Sequence, residues 1–288
     1  MLAGQAGGEE RSYVHRVDGD SNMKKKQAVK TRESHEVGGV AVLHKAFDLL
    51  DILQSSGSPQ SLDQLTEASA FPRSTVHRIL SDMVSRGYAH RDQASHYSLG
   101  EKLLVLGAAV RRRFKLIDIV YPEMIKLRDQ FGETVNLGQL HRGSIMYLEI
   151  VESENPIRVT GSLGILDPIQ VTAIGKAIMA WTPVAKRPIL TDWTPLTGSS
   201  IGSAEEFTAE LERVRKTGYA LDDGESMEGG RCVGVPLLFR GSPIAGLSIS
   251  GPRTRLNRER IAEIASTLQT VGAVLSDRLA LFPDQLGR

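Results

Sequence analysis

The segment between Pro72 and Gly87 constrains the fold of this chain more than any other stretch. Proline suits the first turn of a helix and glycine suits the position just after its end, so the two residues bracket a predicted helix. Apolar residues recur inside it at the spacing of one helix face: Val76, Ile79, Leu80, Met83 and Val84. Polar residues repeat that spacing on the opposite face: Ser74, His77, Arg78 and Ser81. The sequence therefore predicts a helix that is held by one side and offers hydrogen-bonding groups on the other.

The polar face of this helix matches the chemistry of the DNA major groove. Arginine reads guanine through two parallel hydrogen bonds, and small hydroxyls reach base edges or phosphates. No carboxylate interrupts the face before Asp82, and Arg73 stands at its leading edge. An ordinary solvated helix face would show the same pattern, so the flanking segments must decide between the two interpretations.

Two short helices are predicted ahead of this segment. The first starts near Val40, ends at Gly57 and carries the stripe Leu43, Phe47, Leu50 and Leu53. The second opens with a capping box formed by Ser61 and Gln64, and its inner side is predicted to hold Leu62, Leu65 and Ala68.

The residues after the third helix predict a β-hairpin. Tyr88 to Leu99 reads as two short strands around the polar turn Asp92 to Ser95, with Arg91 and His96 near the tip. Three helices followed by a hairpin are the order of a winged helix-turn-helix, in which the third helix enters the groove and the hairpin lies on the adjacent backbone. The predicted DNA-binding residues are Arg73, Ser74, Thr75, His77, Arg78, Ser81, Arg91 and His96.

Residues 100–131 read as helix with two apolar stripes and a break at Pro122. The first stripe is Leu103, Leu106, Val110, Phe114 and Ile117, and the second is Val120, Met124, Leu127 and Phe131. A linker helix that leaves a small domain has little of its own to pack on, so we expect a second protomer to cover the first stripe. Packing against its own C-terminal domain is the alternative.

The rest of the chain predicts an α+β sandwich, one antiparallel sheet covered by helices. Strand-like runs read TVNLGQL, SIMYLEIV, RCVGVPLLF and IAGLSIS, and helices are predicted at 172–181, 203–217 and 257–280. Two features favour a binding pocket. The step from Gln170 into the helix at Ala173 exposes backbone N–H groups that suit a carboxylate, and Ser248 and Ser250 alternate to one face of their strand.

An enzymatic site is poorly supported. TAIGKA lacks the first glycine of a phosphate loop, since Gln170 stands there, and Ala177 replaces its serine or threonine. His141 has no G-x-S-x-G partner, and Cys232 has no neighbouring imidazole to activate it. Cys232 is the only cysteine and His141 the only histidine beyond residue 100, so neither a disulfide nor a metal site is expected, and no cofactor is implied.

Charge and hydropathy add two expectations. The net charge of +1 shows no basic excess, so the DNA interpretation depends on where the basic residues lie and not on their number. No apolar run is long enough to span a membrane, and the N-terminus lacks the pattern of an export signal, which predicts a cytoplasmic protein. Residues 1–37 show no apolar period and are predicted to be a disordered arm.

Ordered sequence blocks resemble the IclR family of bacterial transcription regulators. Residues 38–115, with PRSTVHRIL, GY and YSLGEKLLVLG, resemble that family's DNA-binding domain. The later blocks resemble its effector domain in order and spacing: GETVNL, YLEIVES, TAIGKA, GYALDDGE, GGRCVGVP and SISGP. The resemblance covers residues 38–280.

The resemblance implies a fold and a set of binding residues. It implies a winged helix-turn-helix at 38–100, a linker helix at 101–115 and a GAF-like mixed α/β effector-binding domain at 116–282. It places effector contacts at Ala173, Ile174, Asp222, Cys232, Ser248 and Ser250, with Val159 and Leu166 as apolar walls. Ile174 is larger than the residue often found there, which makes the implied cavity smaller or more apolar.

The expected partners are a double-stranded DNA operator, a small organic-acid effector and further copies of the chain, as a dimer or a dimer of dimers, with no membrane. Such a protein represses or activates transcription and is not an enzyme. The alternative is a small-molecule sensor or enzyme whose N-terminal helical domain mediates protein contacts.

Overall fold

The computed structural model describes residues 41–111 and 115–281, so the predicted arm at 1–37 lies outside the described residues. The chain divides into two compact units. The N-terminal unit holds the described residues up to Ser85 together with Arg91–Ser98, and the C-terminal unit holds Arg86–His90 and the described residues from Leu99 onward. In these ranges no helix is both long and apolar enough to cross a membrane. The domain boundaries at 37, 100, 115 and 282 remain predictions.

Three helices and a hairpin follow one another as predicted: α1 (Ala41–Ser56), α2 (Leu62–Ser69), α3 (Arg73–Ser85), β1 (Ala89–Arg91) and β2 (Tyr97–Leu99). The capping box at the start of α2 is confirmed, because Ser61 Oγ accepts from Gln64 N at 3.2 Å and Gln64 Oε1 accepts from Ser61 N at 2.7 Å. The core of the N-terminal unit consists of Leu49, Leu53, Leu65, Val76, Ile79, Leu80, Met83 and Tyr97.

Two predicted inward faces were partly wrong. Leu43 and Phe47 are 52% and 54% exposed, and α1 buries Leu49 and Leu53, which lie one turn apart near its end. In α2, Ala68 is exposed and Ser69 is buried in its place. Ser69 tolerates burial because its hydroxyl accepts a hydrogen bond from the backbone N–H of Phe71 in the following turn.

The C-terminal unit is an antiparallel sheet between two layers of helices, which confirms the α+β prediction. Its helices are α4 (Glu101–Arg111), α5 (Lys115–Phe131), α6 (Ala173–Trp181), α7 (Ala204–Thr217) and α8 (Arg258–Ala280). Its strands are β3 (Thr134–His141), β4 (Ser144–Val151), β5 (Leu166–Pro168), β6 (Ala220–Asp222), β7 (Gly230–Phe239) and β8 (Ser242–Pro252). The strand order is β5-β4-β3-β8-β7-β6, and the sequence analysis missed the three-residue edge strands β5 and β6.

The two faces of the sheet have different partners. One face packs on α5 and α8 through a large apolar cluster that includes Leu247 and Ile249 of β8. The other face packs on α6 and α7. Successive residues of a strand point to opposite faces, so Ser248 and Ser250 lie on the side of α6. The polar residues of β8, Ser248 and Ser250, therefore lie under α6.

The predicted helix break at Pro122 was wrong, since α5 continues through it. The apolar face of α5 runs unbroken past the proline and buries Leu116, Ile117, Val120, Met124, Leu127 and Phe131. Pro122 and Asp118, whose carbonyl loses its helical donor, are both exposed, so water can satisfy that oxygen. Packing of one apolar face thus outweighs the local cost of the proline. Phe114 and the side chain of Val110 lie outside the described residues.

Replacing Ser61 with alanine is expected to destabilise α2 by about 1 kcal/mol, because alanine lacks the hydroxyl oxygen that accepts from the backbone N–H of Gln64. Hydrogen exchange of the α2 amides in the full chain measures this loss. Ser85→Ala is the matched control, since its hydroxyl only donates to the carbonyl of Asp82 on an exposed helix end. Equal exchange in the two variants would mean that the box contributes nothing.

Candidate functional sites

The exposed face of α3 carries the predicted DNA-binding side chains. Val76 and Leu80 on its other face are fully buried and fix the helix to the N-terminal unit. Ser74, His77 and Arg78 are exposed, and Thr75 is half-buried. An open groove at the start of the helix is lined by Arg73, Ser74 and His77. The predicted orientation of α3 is therefore confirmed.

The two arginines of α3 differ in their surroundings. Arg73 Nε donates to Asp63 Oδ1 at 2.8 Å, an exposed ion pair that ties α3 to α2. Around Arg78, by contrast, no carboxylate of the described residues lies within 4 Å of the guanidinium. Ser81 is also engaged, because its hydroxyl donates to the carbonyl of His77 at 2.8 Å. Arg78 is thus the cation on this face that is free to bind an external acceptor.

The hairpin between β1 and β2 holds its two candidate residues near the tip. Arg91 Nη2 donates to Ser95 Oγ at 2.8 Å, and its guanidinium lies 5.7 Å from the ring centre of Tyr97. The backbone N–H of His96 donates to Asp92 Oδ1 at 2.8 Å. These contacts order the tip and leave Arg91 exposed.

In the C-terminal unit, strand register brings four of the predicted effector residues together. Asp222 of β6 lies opposite Cys232 of β7, which lies opposite Ser250 of β8. Ser248 follows on the same face, two residues along. We call the surface formed by Asp222, Cys232, Ser248, Ser250 and Asn136 the polar sheet face.

Asn136 of β3 belongs to this polar sheet face and was not predicted from the sequence. It pairs with Ser248 in the β3–β8 register, and its side chain is buried. Asn136 Nδ2 donates to Ser250 Oγ at 2.9 Å and approaches Ser248 Oγ at 3.4 Å. No hydrogen-bond partner for Asn136 Oδ1 occurs among the described residues.

Asp222 and Cys232 form the other end of the polar sheet face. The Asp222 carboxylate accepts from the backbone N–H of Glu225 at 2.7 Å and from the hydroxyl of Ser226 at 2.5 Å. Cys232 is the register partner of both Asp222 and Ser250. Burial raises the pKa of the Cys232 thiol, with the Asp222 charge adding to the effect. Cys232 is therefore a neutral thiol at physiological pH, which disfavours a role as a nucleophile.

A tyrosine and an aspartate extend the site towards the sheet edge. Tyr147 of β4 and Asp167 of β5 interact electrostatically, and burial raises the pKa of both groups. Asp167 and Tyr147 keep some solvent access, as does Cys232. Neither residue of this pair was predicted.

The N-terminus of α6 closes over the polar sheet face. Thr172 caps the helix, because its hydroxyl accepts from Gly175 N at 3.1 Å. Gly234 lets the helix approach β7, since a Cβ there would lie 2.9 Å from the Ala173 carbonyl carbon. Ile174 packs its side chain over Gly246, where a Cβ would lie 2.9 Å from Ile174 Cγ2. Helix geometry leaves the N–H groups of Ala173 and Ile174 without intrahelical acceptors.

The two residues expected as apolar walls lie at the rim. Val159 is half-buried and near Gly230, where a Cβ would lie 3.7 Å from Val159 Cγ2. Leu166, on the edge strand β5, is 47% exposed.

Lys176 of α6 forms a buried ion pair that was not predicted from the sequence. Lys176 is completely buried, and its Nζ donates to Glu225 Oε1 and to the carbonyl of Leu221. Burial raises the pKa of Glu225 to about 7 although the Lys176 charge opposes that shift. Elsewhere in the described part of the chain, as here, no group of three His, Cys, Asp or Glu side chains could hold a metal ion.

Comparison with protein families agrees with this two-unit geometry. Residues 42–93 match the model of the IclR helix-turn-helix domain. Residues 108–277 match the model of the bacterial transcriptional regulator IclR C-terminal domain. The first range contains α3, and the second contains the polar sheet face.

Individual relatives point the same way. The HTH-type transcriptional regulator KdgR of Dickeya chrysanthemi is 35% identical over 235 residues, covering 79% of this chain and 77% of that protein. The crystal structure of Thermotoga maritima IclR is 30% identical, with a TM-score of 0.70, covering 83% of this chain and 98% of that one. An IclR homolog from Microbacterium hydrocarbonoxydans, complexed with 4-hydroxybenzoate, shares the fold at 19% identity and a TM-score of 0.72, covering 84% of this chain and 100% of that one. With both family models matched in order along its two units, this chain belongs to the IclR family of bacterial transcriptional regulators.

Proposed function

We propose that this regulator binds a near-palindromic operator as a homodimer or a dimer of dimers, without catalysing a reaction, in the cytoplasm. The observation that carries the proposal is the arrangement of α3, which buries Val76 and Leu80 and exposes Ser74, His77 and Arg78. These side chains would contact base edges in the major groove, while Arg91 and His96 of the hairpin would contact the adjacent phosphates. Two copies related by a twofold axis would read two half-sites.

The linker helix α4 supports association of two copies. Leu104 and Val105 are 77% and 62% exposed, and Leu106 is 43% exposed. Exposed apolar residues in adjacent positions of one helix are unfavourable in water and are normally covered by a partner. A second α4 is the partner that a symmetric dimer would provide.

The polar sheet face and the N-terminus of α6 are the proposed effector site. A small organic acid would place its carboxylate at the N–H groups of Ala173 and Ile174, where the helix dipole favours negative charge. Cys232, Ser248 and Ser250 would line the remainder, with Asp222 behind them. Binding would alter operator affinity by favouring one arrangement of the linker helices in the dimer, with a coupling of about 1 to 3 kcal/mol.

The experiment that tests DNA recognition is selection of random duplexes by the full chain. Enrichment of two inverted half-sites, with protection of that sequence from nuclease cleavage, is the expected result. A chain whose N-terminal unit mediates protein contacts would enrich no sequence and protect no duplex.

The effector proposal is tested by thermal denaturation of the full chain with a panel of sugar acids, keto acids and aromatic acids, including 4-hydroxybenzoate. An acid that binds the native state raises the melting temperature of the chain, and its stabilisation grows with the logarithm of one plus the ratio of its concentration to its Kd. The same acid should change the affinity for the selected operator. Ser248→Ala and Ser250→Ala should weaken its binding, and unchanged binding in both variants would move the site elsewhere.

A further inference from the structure

The effector site contains one buried acceptor that the protein itself does not satisfy. Asn136 is 3% exposed, and its Oδ1 meets no donor from residues 41–111 or 115–281. An unsatisfied buried carbonyl destabilises the folded state, so such atoms are rare and call for an explanation. A ligand that donates a hydrogen bond would supply the missing partner.

The neighbouring hydrogen bonds fix which atom of the Asn136 amide is left free. Asn136 Nδ2 donates to Ser250 Oγ at 2.9 Å and approaches Ser248 Oγ at 3.4 Å, and a hydroxyl oxygen can accept from an amide N–H. The donors of the Asn136 amide are therefore directed at the two serines. Oδ1 is left as an acceptor for a second molecule.

The charges around the site indicate what kind of donor this is. Lys176, the buried cation near the face, is already bound to Glu225 and the Leu221 carbonyl. The Asp222 carboxylate belongs to the polar sheet face and would repel an anionic group placed beside it. A ligand carboxylate would therefore bind only at the N–H groups of α6, whereas the polar sheet face suits neutral hydroxyl groups of the ligand.

The residues in and around the polar sheet face differ in their solvent exposure. Cys232, Tyr147 and Asp167 are all partly accessible, although Ser248, Ser250 and Asn136 are buried deeper. A small molecule entering past Tyr147 would reach the polar sheet face with its hydroxyls directed at acceptors.

We propose that the effector is a hydroxy acid, and that Asn136 Oδ1 selects it by accepting a hydrogen bond from a ligand hydroxyl. This inference rests on the proposed effector function and adds the class of ligand. Asn136 is then a specificity-determining residue and not merely a core amide. Acids of equal size that lack the hydroxyl would leave Oδ1 unsatisfied and would bind more weakly.

The test compares matched acids on the full chain by isothermal titration. The pairs are gluconate with hexanoate, glycerate with propionate, and 4-hydroxybenzoate with benzoate. We expect at least one hydroxy acid to bind about tenfold or more tightly than its hydroxyl-free partner. In Asn136→Leu, which removes the acceptor at similar volume, the ratio within that pair should fall to about one.

The ratio separates recognition from folding, because a variant that only loosens the site weakens both members of a pair equally. Thermal denaturation of Asn136→Leu without ligand verifies that the variant folds. If it does not fold, the affinity ratios of the wild type alone test the class of ligand. Equal binding within every pair would overturn the hydroxy-acid inference while the effector site stands. A ratio that persists in Asn136→Leu would remove Asn136 from its role. Failure of all three hydroxy acids to bind, with binding of another acid from the wider panel, would also overturn the inference, whereas failure of the whole panel would overturn the proposed effector function.

Discussion

Lys176→Met is expected to lower the free energy of unfolding of the C-terminal unit by about 3 to 5 kcal/mol at pH 8. Lys176 is completely buried, and its ammonium is bound to Glu225, whose side chain is 12% exposed. Removing the cation leaves an ionised carboxylate buried without its counter-charge, which costs more than the ion pair itself contributes. Glu210, 3.7 Å from Lys176 Nζ, is less affected because it keeps Arg213 as a partner. Denaturant unfolding of the full chain, followed by tryptophan fluorescence, measures the loss.

The loss should depend on pH in a known direction. The pKa of Glu225 is about 7 in the folded protein, above its ordinary value of 4.5, so the folded state holds its proton more tightly than the unfolded state does. The stability from this group is complete below pH 4.5 and is lost as the pH rises towards 7. Lys176→Met removes the cation that opposes the shift, so its penalty should be smaller at pH 5.5 than at pH 8.

A second substitution provides the control for this prediction. In Lys176→Met combined with Glu225→Gln no charge of the pair remains, and much of the lost stability should return at pH 8. If the double variant is as unstable as Lys176→Met, the loss comes from packing and not from an uncompensated charge. A single variant as stable as the wild type would mean that water reaches Glu225 freely.

The helical periodicity predicted α3 because its two faces differ strongly in polarity. Four of the five residues in its predicted apolar stripe are buried, and Val84 is half-buried. The stripe of α1 was less reliable, because both of its faces carry apolar residues and only packing decides which of them is covered. Exposed Leu43 and Phe47 on α1 are the result.

The effector site was harder to predict because it is assembled by strand register. Ser248 and Ser250 could be assigned to one face from their own strand, whereas Asn136 lies 112 residues away from Ser248. The run TVNLGQL alternates polar and apolar residues, so it places Thr134 and Asn136 on one face without naming the neighbouring strand. Lys176 was considered only as part of a failed phosphate-loop motif, and its partner Glu225 is 49 residues away. Long-range pairings of this kind leave no local pattern.

Replacing Arg78 with alanine is expected to weaken binding to the selected operator by about 1 to 3 kcal/mol at each half-site, which is about 5-fold to 150-fold. Arg78 is exposed beside His77 on α3 and, among the described residues, no carboxylate competes for its guanidinium. A guanidinium held on a fixed helix can donate two parallel hydrogen bonds to guanine, and alanine removes both. Quantitative gel shift with the selected operator and with an unrelated duplex measures the effect.

Arg78→Lys is the matched variant, because lysine keeps the charge and loses the two-pronged geometry of arginine. If Arg78 reads a base, Arg78→Lys should lose operator preference almost as fully as Arg78→Ala and should keep the salt dependence of the wild type. Replacing the contacted guanine should then cost the wild type much and Arg78→Ala little. A phosphate contact gives the opposite pattern. Arg78→Lys then binds nearly as well as the wild type, and Arg78→Ala weakens binding to all duplexes alike, with a smaller salt slope.

Arg73 offers a second comparison on the same helix, since its guanidinium is already engaged in an ion pair with Asp63. Arg73→Ala should therefore change the preference for the operator over an unrelated duplex less than Arg78→Ala does.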